Sequence, residues 1–106
     1  MTILKGSSEV KVPGGKLIRV QCIVDEAGKM LSSIIITGDF FLHPEEGIQK
    51  LEKDLIGLRA EPEILKSHIH SFFKKGYVLV GATPEDFATA VLKATSREDQ
   101  TRRLGR

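Results

Sequence analysis

The sequence contains few of the residues and patterns on which many functional sites depend. Its 106 residues include one cysteine, Cys22, which excludes an intrachain disulfide and a multi-cysteine metal site and favours a reducing location. No apolar run approaches roughly 18 residues, and the first residues lack the charged-then-apolar pattern of a signal peptide. We therefore expect a cytoplasmic protein with no membrane partner.

The basic and acidic residues nearly balance. Sixteen Lys and Arg residues oppose fourteen Asp and Glu residues, for a net charge of +2. A nucleic-acid surface requires basic side chains gathered on one face, preferably with stacking aromatic residues. Since both signs are mixed along this chain, we expect no nucleic-acid partner. A hydrophobic content of 41% is enough for one ordinary globular domain with a modest core.

Most of the strand-forming signal lies in the first half of the chain. Two β-branched runs, Leu17 to Val24 and Leu31 to Thr37, flank a turn-rich segment at 25–29, which predicts an antiparallel hairpin. A shorter alternating piece at 9–12 ends at Pro13 and supplies a third strand. The second run is apolar on both faces, which favours a central position for that strand.

Three proline-containing segments predict helices. The first helix is expected to open at His43-Pro44, the second at Pro62, and the third at Thr83-Pro84, where the threonine caps the helix. Residues 77–80 are apolar and fit either a short strand or a buried connector. The predicted fold class is α+β, a three-stranded antiparallel sheet with about three helices packed on one face.

One domain with two polar ends is expected. Residues 1–8 are predicted to be an N-terminal loop, 9–95 the domain, and 96–106 a polar C-terminal tail. The sequence offers no nucleophile–base pair, no cofactor fingerprint and no cluster of metal ligands. We therefore expect no catalytic residues, no metal site and no active site within this chain.

Two glycine-containing loops are the unusual surface feature, and they supply the candidate site residues. These are Pro13, Gly14, Gly15, Lys16, Gly38, Asp39, Phe40 and Phe41. Because neighbouring strands run in opposite directions, both loops are expected at the same end of the sheet. Exposed phenylalanine beside glycine favours an interaction surface, although Phe40 or Phe41 fits equally as a plug between sheet and helix. The Gly-Gly-Lys segment leads into a strand rather than a helix, which favours a plain turn over a phosphate site.

Three motifs, in their order along the chain, resemble a known family. They are Lys11-Val-Pro-Gly-Gly-Lys-Leu-Ile18, Ile36-Thr-Gly-Asp-Phe-Phe-Leu-His-Pro-Glu-Glu46 and Thr83-Pro-Glu-Asp-Phe87. With the intervening hairpin, they look like the C-terminal accessory domain of lipoate–protein ligase. In some archaea and bacteria this domain is a separate small subunit, the form that a chain of 106 residues matches better. The resemblance spans about residues 9 to 94.

The resemblance implies a function within a two-chain enzyme. Such a ligase activates lipoate with ATP to lipoyl-AMP and then transfers the lipoyl group to a lysine of an acceptor protein. Acceptors are the lipoyl domains of 2-oxoacid dehydrogenase complexes and the glycine cleavage H protein. The catalytic subunit carries the lipoate and nucleotide pocket, and the accessory subunit is needed chiefly for activation. The implied assembly is a heterodimer in which this chain alone binds no cofactor, while lipoate, ATP and Mg are substrates of the complex.

The resemblance also gives the two loops an expected role. Residues 13–16 and 38–41 are expected to face the catalytic subunit and close its pocket, where Lys16 either approaches phosphate or stays an ordinary solvated lysine. Two other interpretations stay open. A looser resemblance to sulfur-transfer and iron–sulfur scaffold proteins would use Cys22. Period-2 alternation, however, places this thiol on one aliphatic strand face with Ile18, Val20 and Val24, where it is inert. A binding module with no enzyme partner also fits.

Overall fold

A computed structural model describes residues 3–14, 16–25 and 29–96 of the chain. Within these residues four strands are followed by two helices, a fifth strand and a third helix. The elements are β1 (Ile3–Lys11), β2 (Leu17–Asp25), β3 (Met30–Gly38), β4 (Phe41–His43), α1 (Gly47–Leu55), α2 (Pro62–Phe73), β5 (Val78–Val80) and α3 (Pro84–Thr95). No helix among them is long and apolar enough to cross a membrane.

The main sheet is three-stranded and antiparallel, in the order β1-β2-β3. One face of β2 carries the predicted aliphatic set, and all four members are buried: Ile18, Val20, Cys22 and Val24. The helix α3 packs against β1 and β2 on this face, and α1 packs against β3. The predicted α+β fold, with three helices on a three-stranded antiparallel sheet, is therefore confirmed.

A β-bulge sets which side chains of β3 face the core. The pairing shifts between Ile23 and Val24, so that Ile23 lies opposite Ser33 while Val24 lies opposite Leu31. One extra residue on β3 reverses the alternation at this point. Leu31 and Ile34 are therefore both buried, at 0% and 3% exposure, although their spacing would place them on opposite faces of a regular strand.

The strand β3 lies at the edge of the sheet rather than at its centre, which corrects the expectation from its apolar sequence. Its outer edge is covered by other parts of the chain. The backbone N–H of Ile36 donates to Glu52 Oε2 at 2.8 Å, and that of Leu31 donates to the Leu58 carbonyl at 2.8 Å. Because these groups are satisfied, the edge offers less opportunity for pairing with another chain.

The first strand is longer than predicted, since residues 3–8 belong to β1 and are not a loop. Residues 5–8 are polar or small and have weak strand propensity, so their own sequence does not indicate a strand. The strand forms through contacts with other segments, which the sequence alone does not display. Leu4 is buried, Gly6 lies opposite Cys22, and Ser8 Oγ donates to the Ala90 carbonyl of α3 at 2.7 Å. Residues 1–2 and the predicted tail from 97 onward lie outside the described residues.

A second, two-stranded sheet joins β4 and β5. Phe41 lies opposite Val80, Leu42 opposite Leu79, and His43 opposite Val78. This pairing settles residues 78–80 as a strand rather than a connector. The first helix begins further along the chain than predicted, at Gly47 instead of at His43-Pro44, because His43 is the last residue of β4.

Candidate functional site

The two predicted loops lie at the same end of the main sheet. Gly38 is opposite Ile18 in the β2–β3 register, and the Asp39 N–H donates to the Leu17 carbonyl at 3.0 Å. The first loop is closed by a bond from the Val12 N–H to the Lys16 carbonyl at 2.9 Å. Their predicted proximity is therefore confirmed. Gly15 lies outside the described residues.

A third segment, residues 81–86, lies beside these loops, although none of its residues was among the candidate site residues. A shallow groove of about 460 Å³ lies between Pro13, Lys16 and this segment. A Cβ placed on Gly81 would be 3.6 Å from Lys16 Cε and 3.6 Å from the Phe40 Cα. The Lys16 side chain and the second loop therefore both lie within ordinary contact distance of Gly81. In the sequence, this segment is marked by Gly81, a glycine that stands just before a helix with a threonine cap.

The two neighbouring phenylalanines have different environments. The ring of Phe40 meets Phe87 edge to face, with centroids 4.7 Å apart and planes at 75°. Phe41 points away from the core and is 75% exposed. The plug interpretation is correct for Phe40, and the exposed-surface interpretation is correct for Phe41. The second loop is thus fixed to the core by one ring while it presents the next to the outside.

The start of α3 forms one wall of the groove and is closed by a capping box. The Asp86 N–H donates to Thr83 Oγ1 at 3.2 Å, and the Thr83 N–H donates to Asp86 Oδ2 at 2.9 Å. These reciprocal bonds satisfy two N–H groups that would otherwise be available to an anion. The groove therefore combines one cation, Lys16, with the carboxylate of Asp86, which suits contact with a mixed polar surface better than capture of a free anion.

Some titratable side chains of the helices form surface pairs. His70 Nε2 lies 3.1 Å from Glu85 Oε1, linking α2 to α3, and His68 Nδ1 lies 3.7 Å from Asp54 Oδ2. Among residues 3–14, 16–25 and 29–96, no three His, Cys, Asp or Glu side chains are grouped so as to hold a metal ion. These pairs add to the cohesion of the helical layer.

Cys22 lies on the inner face of the sheet, as its strand position predicts. It is 4% exposed, and its Sγ donates to the Ala94 carbonyl at 3.5 Å. A sulfur-transfer role requires an accessible and activated thiol. The burial of Cys22 between β2 and α3 is the arrangement of a core residue and does not favour that alternative.

Fold and site together define a small α+β domain whose distinctive surface is a set of loops and a short ribbon at one end of the sheet. The chain matches none of the protein-family models against which it was compared. It is 39% identical over 75 residues to lipoate-protein ligase A subunit 2 of Thermoplasma acidophilum, covering 71% of this chain and 76% of that protein. The chain therefore belongs to the family of lipoate–protein ligase A subunit 2.

A solved structure supports the same assignment. It is that of an archaeal lipoylation system from Thermoplasma acidophilum, a bi-partite lipoate protein ligase and its E2 lipoyl domain. One of its chains matches the present fold with a TM-score of 0.76 and 34% identity, over 85% of this chain and 97% of that chain. The family resemblance inferred from the three sequence motifs is thereby confirmed.

Proposed function

We propose that this chain is the accessory subunit of a two-chain lipoate–protein ligase. The observation that carries the proposal is its 39% identity to a subunit 2 of such a ligase. Its partner is the catalytic ligase subunit, with which it forms a cytoplasmic heterodimer. Lipoyl-acceptor domains or the glycine cleavage H protein contact the complex transiently, while the acyl group is transferred to a lysine.

In the proposed reaction the complex uses ATP and Mg to activate lipoate to lipoyl-AMP, and the pocket for these substrates belongs to the catalytic subunit. Lipoyl-AMP is a mixed anhydride that water hydrolyses. An accessory subunit that closes over the pocket excludes water and completes the environment for adenylation. This chain contributes a folded surface to that closure and binds no cofactor by itself.

We infer that residues 13–16 and 38–41 form the part of the chain that faces the catalytic subunit. Three features support this orientation. Both loops lie at the same end of the sheet, the groove beside them is open, and Phe41 is exposed. Lys16 is the exposed cation of the groove, and its amino group is the one best placed to approach phosphate on the partner's side.

The proposed function is tested by measuring lipoate-dependent release of pyrophosphate from ATP. The assay uses this chain alone, the catalytic chain alone, and the two mixed. We expect release from the mixture only. Full release from the catalytic chain alone, unchanged when this chain is added, would contradict an accessory role in activation.

Substituting Lys16 tests the orientation of the loops. We expect Lys16→Ala to lower the rate of pyrophosphate release by about tenfold, the contribution of one positioned charge–phosphate contact. Affinity for the catalytic subunit is expected to change by less than about threefold, because one exposed lysine contributes little to binding. The matched control is Lys11→Ala, an exposed lysine on β1, which is expected to leave both quantities unchanged. Equal activity of both variants would show that Lys16 is an ordinary solvated lysine.

A further inference from the structure

The two-stranded β4–β5 ribbon has an apolar face that is turned away from the core. Phe41 lies directly opposite Val80, and Val78 lies two pairs further along the ribbon. These side chains are 75%, 57% and 56% exposed, respectively. Alternation places Leu42 and Leu79 on the other side, where they pack inward. We call the outward side the ribbon face; it consists of Phe41, Val78, Val80 and the exposed His43, which lies opposite Val78.

The ribbon face is held rigidly by the contacts beneath it. A Cβ on Gly47 would lie 2.8 Å from Leu42 Cδ2 and 2.8 Å from Tyr77 Cε1, so α1 approaches the ribbon as closely as glycine allows. The Tyr77 ring stacks on Phe72 of α2, with centroids 4.4 Å apart. Since the ribbon is fixed from two sides, its apolar side chains are ordered before any partner binds, and less entropy is lost on association.

The ribbon face is also continuous with the groove and the two loops. Phe41 follows Phe40, and Val80 precedes Gly81, the residue that lies beside the carbon atoms of the Lys16 side chain. An exposed apolar cluster that continues into a groove bordered by the charged Lys16 and Asp86 matches the usual layout of a protein interface, an apolar centre with a polar rim. We propose that the ribbon face is the apolar anchor by which this chain binds the catalytic ligase subunit, a proposal that rests on the function proposed above.

The size of the surface favours a folded partner. A stable interface buries roughly 800 Å² on each partner, whereas an aromatic side chain contributes at most about 150–250 Å² and valine contributes less. Four partly exposed side chains therefore supply clearly less than the area required. The partner must extend past the ribbon face to the groove and loops, which a folded subunit does and a short peptide does not.

The chemistry of the ribbon face distinguishes a lasting partner from a transient one. Permanent interfaces are more apolar than those that open at each catalytic cycle. An acceptor domain must leave after each transfer, whereas the two chains of a ligase stay together through many cycles. Two valines and a phenylalanine, with one histidine opposite Val78 and no Lys, Arg, Asp or Glu among them, fit the lasting contact. The complementary surface on the catalytic subunit is therefore an apolar pocket that receives Phe41.

The test compares the ribbon face with an equally exposed apolar site elsewhere. The variants are Phe41→Ser and the double variant Val78→Thr/Val80→Thr, in which threonine keeps the β-branched shape of valine. The control is Ile35→Thr, a residue 53% exposed on the outer face of β3. Titration calorimetry measures the Kd of each purified variant for the catalytic subunit, and thermal unfolding verifies that each variant is folded. We expect Phe41→Ser to raise Kd by at least about 30-fold, the double variant by about tenfold, and the control by less than about twofold.

Other outcomes assign the ribbon face differently and would overturn the proposal. Unchanged Kd values for both ribbon variants would show that the ribbon face does not anchor the catalytic subunit. Normal binding of the catalytic subunit with lost transfer to the acceptor assigns the face to the acceptor domain. Self-association of the wild-type chain that the ribbon variants abolish, with normal heterodimer formation, assigns it to a second copy. A wild-type chain that does not bind the catalytic subunit at all refutes the proposed function and the anchor with it.

Discussion

Replacing Phe87 with alanine is expected to lower the free energy of unfolding by about 3–5 kcal/mol, the usual cost of removing a fully buried phenylalanine. Phe87 has 0% exposure and lies where the third helix meets the second loop. Its ring contacts Phe40 at 4.7 Å and Phe73 at 5.3 Å between centroids. The substitution therefore leaves a cavity and removes the support on which Phe40 rests. Chemical denaturation monitored by circular dichroism measures the loss.

The control for this prediction is Phe41→Ala. It deletes a side chain of the same type that is 75% exposed, so we expect a change within about 0.5 kcal/mol. Comparable losses for the two variants would show that burial does not distinguish these phenylalanines. Together with the binding test on Phe41→Ser, the two alanine variants separate a role in folding from a role in association. Phe87 is expected to govern folding, and Phe41 is expected to govern association with the catalytic subunit.

Introducing alanine at Gly38 is expected to destabilise the protein by about 2–3 kcal/mol, at the upper end of the range for overpacking. A Cβ at this position would collide with the Leu17 carbonyl oxygen and lie 2.8 Å from Phe40 Cε2. The phenylalanine ring can rotate, but the carbonyl belongs to the backbone of β2 and cannot move without separating the strands. Thermal unfolding is expected to show a decrease in Tm of about 10 °C or more, by the scale for a domain of this size.

Gly14→Ala is the appropriate comparison for Gly38→Ala. Gly14 has a φ of +98°, yet a Cβ there would meet nothing within 4 Å. Only conformational strain is added, at a cost of about 1–2 kcal/mol. A smaller loss at Gly38 than at Gly14 would mean that the end of β3 relaxes easily. In that case the second loop is not fixed against β2 as the structure indicates.

These substitutions bear on the proposed role because the loops and the ribbon face depend on the core behind them. Gly38 brings the second loop against β2, and Phe40 then reaches Phe87. The next residue, Phe41, is thereby directed outward. A surface that must meet a partner in one orientation benefits from this coupling, since its shape does not have to be selected at the moment of binding.

Local rules in the sequence were sufficient for several parts of the fold. The capping box at Thr83 and Asp86 follows from residue types at fixed spacing, and the structure forms it as written. The inward face of β2 follows from period-2 alternation, which holds for all four predicted residues. The two loops share one end of the sheet because an antiparallel hairpin leaves no other arrangement. The order of the three motifs along the chain was sufficient to indicate the family, which the 39% identity to a subunit 2 then showed.

Other features depended on contacts between distant segments, and local sequence patterns could not supply them. Residues 3–8 form a strand because β2 offers backbone partners and α3 covers their small side chains, not because of their own propensity. The edge of β3 is satisfied by Glu52, a residue of α1 whose sequence position carries no such signal. β4 and β5 are three residues each, too short to predict alone, and their pairing creates the ribbon face. Short-range periodicity and capping chemistry thus indicated most of the elements, and the resemblance of three motifs in order along the chain indicated the family. Only the tertiary structure decided which apolar residues remain exposed, because exposure depends on what the rest of the chain leaves uncovered.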